Sequence, residues 1–475
     1  MKTIKTIFLL ILSLSLFNCF DDLDDNPATT TDINDFVYRG MNIFYLYKYN
    51  VPELETNLSQ TSNYNSYLNS YSSPETFFES LIYQRETVDR FSWITNNYIA
   101  LEQQLNSGTN LSNGLEFNFY YEPGSSTNVF AIIRLVLNNS EASSQGLQRG
   151  QIIHAVNGTE LTANNISSLF NQNNYTLNFA DYNDNGTPEN NDDFIEPNNT
   201  SISLSKTVYT ENPVYRTEII DVNGENLGYL AYNSFTPDFN TQLNNAFSTF
   251  QANNVQHLVL DLRYNPGGSV NSATLLGSMV TGQFNGAIFA KLNYNADLQA
   301  NNSIYNFSNN FDGTSINSLN LDKVYVLTSG SSASASEMII NSLKSYVNVV
   351  QIGSSTTGKS QASITIYDSP DYLSRSDANP THTYAMQPLV AITVNTNDEQ
   401  VPATGLAPNI EVIEDPKNYG ILGNENEPLL AAAIADILGT GRTAPSSFEK
   451  AKPISTRINL SPFEDNMHIS PEDIK

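Results

Sequence analysis

The stretch from Lys323 to Ser363 constrains the fold more than any other part of the chain. An apolar run, Val324 to Leu327, breaks into a turn of small residues, Ser329-Gly330-Ser331. Ser332 to Glu337 then leads into a helix-like segment, Met338 to Lys344. A second apolar run, Val347 to Ile352, ends in Thr357-Gly358-Lys359. The alternation continues on both sides. Leu227 to Tyr232 reads as a strand, Asp238 to Gln251 as a helix, and His257 to Arg263 as a buried strand ending in Tyr264-Asn265-Pro266-Gly267-Gly268. A helix begins over Ala273 to Val280, a strand spans Leu389 to Val394, and a last helix covers Pro428 to Leu438. Strands alternating with helices predict an α/β core, here 213–439, with substantial parallel pairing.

The 475 residues leave room for about three domains at ~150 residues each. From Asp32 to Leu105 the pattern is helical: Ser73-Pro74-Glu75 is a helix start, and Ile94, Tyr98, Leu101 and Leu105 recur at spacings of three and four. Residues 32–105 are therefore expected to form a small helical domain. From 114 to 208 the signals are strand-like, with Leu115, Phe117 and Phe119 alternating with polar residues. Residues 440–475 are a polar, Pro-rich tail.

Lys2 and Lys5 precede a short apolar run, Ile7 to Phe17, which is a signal-peptide core too short to span a membrane. Residues 1–18 are read as that signal. The run ends at Leu16-Phe17-Asn18-Cys19, which resembles the cleavage box of bacterial lipoproteins and implies lipidation of Cys19. Asp21, Asp22, Asp24 and Asp25 then make 19–31 an acidic tether. With one cysteine, no disulfide can form within the chain. The net charge of −27 argues against nucleic-acid partners and against adhesion to anionic lipid. Contact with the membrane is expected through the lipid anchor alone, at the bacterial cell envelope, facing the periplasm or the surface of the outer membrane.

The chemistry centres on Ser334. A serine hydroxyl needs a base to take its proton and donors to stabilise the oxyanion. The four histidines, His154, His257, His382 and His468, lie in no recognisable triad motif. A lysine can act as base if burial lowers its pKa from ~10.4 to roughly 7–8. Lys359, after a strand and Gly358 and among uncharged neighbours, suits that role better than Lys344 on an amphipathic helix. Ser334 falls where a strand turns into a helix, so unpaired N–H groups are expected beside it. The Ala335 N–H is one candidate oxyanion donor, and the Gly267-Gly268 turn offers a second.

Two resemblances join these pieces. Ser140 to Gly158, with Ala142, Leu147, Arg149-Gly150 and the hairpin turn Asn157-Gly158, resembles the central signature of PDZ domains. It implies a PDZ-like module at 114–208 that captures an extended peptide at a sheet edge. The loop near Leu115 to Phe119 departs from the usual glycine pattern. The PDZ signature, Leu260 to Gly268, Ser332 to Glu337, Gly358-Lys359 and the turn Gly405 to Asn409 together resemble the carboxyl-terminal (tail-specific) processing proteases. That resemblance implies a crotonase-like Ser-Lys protease core. Ser334 would be its nucleophile, Lys359 its base, and Ala335 and Gly268 its oxyanion donors. It implies a peptide or protein substrate, an acyl-enzyme intermediate and no required cofactor. Ser363 stands where the family often places a glutamine. A catalytically silent peptide- or ligand-binding lipoprotein on the same scaffold is the alternative.

The β module carries an acidic insertion. Asp181, Asn183, Asn185, Gly186, Glu189 and Asp192 fall at positions one, three, five, six, nine and twelve of a calcium loop, with Asp at the last position instead of a bidentate Glu. Calcium is one expectation there; a solvated hairpin tip is the other.

Overall fold

The computed structural model describes residues 27–187, 192–441, 451–454, 467–470 and 474. The signal sequence, Cys19, the acidic residues to Asp25, Glu189 and most of the 440–475 tail lie outside the described residues. The chain forms two compact units. One combines the residues up to Tyr98 with Thr365–Pro388, and the other combines Ile99–Ile364 with the residues from Leu389 onward.

In the first unit, Thr29 opens the helix Thr30–Phe44 with a reciprocal cap. Its Oγ1 accepts from the Asp32 N–H at 3.2 Å, and the Asp32 carboxylate accepts from the Thr29 N–H at 2.8 Å. Phe36, Val37, Met41 and Phe44 form the buried face of that helix. Ser73 caps Pro74–Ser80, accepting from the Thr76 N–H at 3.2 Å, as the Ser-Pro-Glu start predicts. The stripe from Ile94 to Leu105 is not a single helix. Trp93–Thr95 is a strand paired antiparallel with Ala385–Gln387, which in turn pairs with Ile366–Tyr367. The helix begins only at Tyr98. Backbone donors far along the chain decide this, and local periodicity carries no record of them. Residues 365–388 thus return to the N-terminal helices, although a linear division places them within 213–439.

The second unit begins with a β domain. Its strands Leu115–Tyr121, Val129–Val136, Ile152–Val156, Asn174–Asn183 and Phe194–Ser205 pair antiparallel in chain order. Between them, Ser140 caps the short helix Glu141–Ser144, Ala142 and Leu147 are buried, and Asn157 and Gly158 both take positive φ, as the hairpin turn requires. Phe117, Phe119, Phe170 and Leu177 belong to its core. Asp181 and Asn183 lie on a strand, with Asp181 opposite Glu196. The Asp192 carboxylate accepts from Thr187 Oγ1 (2.9 Å) and Asn185 Nδ2 (3.1 Å). No group of three or more His, Cys, Asp or Glu side chains suited to a metal ion gathers among the described residues.

Beyond it stands the α/β core. Its main sheet runs Val214–Val222, Glu225–Tyr232, Val255–Asp261, Lys323–Thr328, Asn348–Gly353, Ile410–Glu411, antiparallel at the first pair and parallel thereafter. A second sheet runs Gly268–Ser269, Met467–His468, Gln361–Ser363, Leu389–Val394, Ile288–Tyr294, Ser303–Asn306. The helices Val270–Thr281 and Ala335–Leu343 are buried along almost their whole length. Each fully buried apolar side chain there, such as Leu276 or Ile339, contributes about 1.5–3 kcal/mol.

Candidate active site

Because Val255–Asp261, Lys323–Thr328 and Asn348–Gly353 run parallel, their carboxyl ends share one edge of the sheet. The loops that follow, 262–268, 329–334 and 354–359, meet there and are stitched together by backbone acceptors. The Asn265 carbonyl accepts from the Ala333 N–H (3.2 Å) and from Ser336 Oγ (3.0 Å). Ser332 Oγ donates to the Leu262 carbonyl at 2.7 Å, and the Thr357 N–H donates to the Ser332 carbonyl at 3.0 Å. The small residues of this stretch are therefore spacers that let three loops approach one another.

Ser334 sits at the N-terminus of Ala335–Leu343 with φ +64° and ψ −115°. For a residue with a Cβ this left-handed backbone costs about 1–3 kcal/mol and persists only where surrounding bonds enforce it. Glu337 enforces it. Its Oε2 accepts from the Ser334 N–H and the Lys359 N–H, each at 2.8 Å. Its Oε1 accepts from the Gly358 N–H at 2.7 Å and from Thr356 Oγ1 at 2.5 Å. One carboxylate thus holds the backbones of both motif residues. Burial raises the Glu337 pKa, and the bonds from Thr356, Lys359, Ser334 and Gly358 offset this only in part, leaving it above the usual carboxylate value. Gly358 has φ +85°, and a Cβ there would lie 2.2 Å from the Ala403 carbonyl oxygen, so the Gly-Lys pairing is fixed by close approach.

Ser334, Ala335 and Lys359 are all at most 1% exposed. Ser334 Oγ makes no hydrogen bond among the described residues. Ala335 is the first helical residue, so its N–H has no acceptor within the helix. Gly268 has φ +134°, and a Cβ would fall 2.4 Å from the Phe235 carbonyl oxygen. The Asn265 amide supports that turn, accepting from the Gly267 N–H (2.9 Å) and donating to the Tyr232 carbonyl (2.8 Å). Ser363, at the position of the family's glutamine, donates from Oγ to the Met467 carbonyl at 3.0 Å.

The histidines divide. His257 pairs with Glu225 (2.6 Å), and His382 with Asp368 (3.0 Å) in the first unit. His154 lies in the β domain strand Ile152–Val156. His468 is the one that sequence reading left in the tail and the fold carries to the site. It is 9% exposed, and burial followed by the charge of Lys359 pushes its pKa down to about 4. No sequence spacing links it to Lys359.

A second buried ionic group, also missed, stands behind the loop 262–268. Arg263, 1% exposed, contacts Asp261 (2.8 Å) and Glu427 (2.7 Å). Glu414 accepts from Arg263 (3.2 Å), from Arg149 of the β domain (2.6 Å) and from Tyr264 Oη (2.5 Å). Arg134, also of the β domain, donates to Ser331 Oγ at 3.0 Å, three residues before Ser334. The β domain is thus wired to two of the three loops of the site, 262–268 and 329–334.

The comparisons with known proteins agree with this geometry. The model described as peptidase family S41 matches residues 226–412, which include every loop of the site, and that described as the peptidase S41 N-terminal domain matches 32–93. A carboxyl-terminal-processing protease of Picosynechococcus sp. is 23% identical over 234 residues, 49% of this chain and 50% of that protein. The chain therefore spans about half the length of that relative. A crystal structure of a candidate S41 protease from Bacteroides fragilis NCTC 9343 superposes with a TM-score of 0.68 at 28% identity, covering 86% of this chain and 97% of that one. Two matches to parts of one family, in its order and enclosing the motif loops, lead to one conclusion: the chain belongs to peptidase family S41.

Proposed function

We propose that the protein is a serine endopeptidase in which Ser334 attacks a peptide carbonyl and Lys359 accepts its proton. The observation that carries this reading is the Glu337 clamp. It holds Ser334 in a strained backbone, at a helix N-terminus, on the same carboxylate oxygen as the Lys359 N–H. The N–H groups of Ala335 and Gly268 stabilise the oxyanion, Lys359 returns the proton to the leaving amine, and water releases the acyl-enzyme. The β domain acts as a PDZ-like module, its edge strand Leu115–Tyr121 taking up an extended segment of substrate. The core is of the crotonase-like kind, with its site at the carboxyl ends of parallel strands. Family membership and the relative's printed activity support a protease.

Hydrolysis of casein by wild type, Ser334→Ala and Lys359→Ala tests the assignment. Either substitution is expected to lower kcat at least about a thousand-fold. Equal cleavage by all three proteins would exclude the pair. We place the protein in the cell envelope through lipidated Cys19; no helix among the described residues is long and apolar enough to cross a membrane. Cys19→Ser should move the protein from the membrane to the soluble fraction, and continued membrane retention would count against the anchor.

A further inference from the structure

Two pieces of the tail, the strand Met467–His468 and the bridge residue Pro453 with its neighbours, pair with strands where a peptide would bind. At the β domain, Leu115–Tyr121 is one of the two edge strands of the sheet. Residues 452–454 add to it antiparallel. Tyr120 bridges Pro453, the Tyr121 N–H donates to the Lys452 carbonyl (2.9 Å), and the Ile454 N–H donates to the Phe119 carbonyl (3.1 Å). Ile454 packs on the core that contains Phe117, Phe119 and Phe170. This is strand addition with an apolar anchor, the mode by which such edges take up extended ligands.

At the candidate active site, Met467–His468 forms a parallel strand between Gly268–Ser269 and Ser363. The Ile469 N–H donates to the Ser363 carbonyl at 3.1 Å, and Ser363 Oγ donates to the Met467 carbonyl. Met467 and Ile469 are 0% and 2% exposed. Which side of Gly268 they cover follows from the neighbouring bonds. The Phe235 N–H donates to the Gly267 carbonyl (2.9 Å), and the Phe235 carbonyl accepts from the Ser269 N–H (2.8 Å). Polar groups alternate along an extended strand, so those of Gly268 face the opposite edge, where Met467 is its partner. A carbonyl that is to be polarised by the Gly268 N–H must enter from that edge.

We infer that the chain's own tail is an intramolecular peptide ligand. Lys452–Ile454 fills the β domain edge, Met467–Ile469 fills the slot between Gly268 and Ser363, and a polypeptide substrate must displace them to reach Ser334. The inference rests on the proposed peptidase function, since it names the occupant of that same site. It accounts for a site in which Ser334 and Lys359 are sealed from solvent. It also defines the substrate class: an extended segment with apolar residues two apart, as in Met467-His468-Ile469.

The test uses the full chain with Met467→Asp, which places a charge at a position without solvent, and separately Ile454→Asp at the partly buried edge contact. The apparent KM for casein should fall about ten-fold or more in Met467→Asp, and by less in Ile454→Asp, because self-occupancy reduces apparent affinity by the fraction of open sites. A synthetic peptide of residues 461–475 should inhibit Met467→Asp competitively and wild type far less. Unchanged or raised KM in both variants, with melting curves like wild type, would overturn the inference. If Met467→Asp fails to fold, Ile454→Asp decides alone. Should no form of the protein hydrolyse casein, fluorescein-labelled 461–475 peptide separates the two readings. Binding to the variants but not to wild type upholds the self-ligand and rejects only the peptidase assignment. Equal binding, or none, rejects the self-ligand.

Discussion

Two buried carboxylate clusters flank the loop 262–268, and they are compensated in opposite ways. Glu337 receives four neutral donors, three of them backbone N–H groups. Glu427 and Glu414 instead face the guanidiniums of Arg263 and Arg149. Burial raises the pKa of all three acids, but only the arginines reverse it. Glu427 and Glu414 end below the ordinary carboxylate value, and Glu337 ends above it. The difference shows what each cluster is for. Full charges hold the β domain to the core, where strength matters. Neutral dipoles alone meet the Glu337 carboxylate, which ties the loops of Ser334 and Lys359 together through their backbone N–H groups.

The largest effect should come from the ionic side. Arg263→Met leaves Asp261 and Glu427 buried without their cation and is expected to cost about 3–5 kcal/mol in denaturant unfolding. A loss under 1 kcal/mol would show that the cluster relaxes or admits water. Next, Glu337→Gln is nearly isosteric, yet either amide orientation sets an NH2 against N–H donors. It should cost about 1–3 kcal/mol, and it should lower kcat more than it raises KM because it releases both motif residues together. Loss of stability with kcat intact would reduce Glu337 to a structural role.

The smallest effect separates the two clusters by pH. Glu427 and Glu414 have depressed values, so their contribution is complete above the unfolded value of about 4.3 and is lost as pH falls through their folded values. Glu337 has a raised value, so its contribution is complete below about 4.3 and is lost as pH rises through its folded value. Stability curves between pH 3 and 7 should therefore be shallower than wild type for Glu427→Gln and steeper for Glu337→Gln. Parallel shifts of both would refute the contrast.

Much of the core was legible in the chain. Apolar runs and a glycine turn predicted the strands through Asp261, Leu327 and Ile352, and the small residues after them predicted the loops that meet at Ser334. Those are local signals: side-chain period, helix starts and positive-φ glycines. The role of Glu337 was half legible, since it ended the Ser332–Glu337 motif, but its acceptance of the Lys359 N–H depends on two loops coming together. Arg149 and Arg263 read as a turn residue and a strand end. Only burial on facing elements makes them one cluster. Trp93–Thr95 was misread because its partner, Ala385–Gln387, lies far along the chain.

By itself, then, the sequence determined the α/β alternation, the strand-rich character of the β domain and the motif loops, because short-range sterics and periodic burial specify them. Tertiary structure alone decided which distant segments complete the sheets. Residues 365–388 return to the N-terminal helices, 452–454 pair with the β domain strand Leu115–Tyr121, and 467–468 lie between Gly268–Ser269 and Ser363. Strand pairing is made by backbone groups that every residue carries. A segment such as Met467-His468-Ile469 therefore has no composition that announces its partner, and only the shape of the folded site selects it.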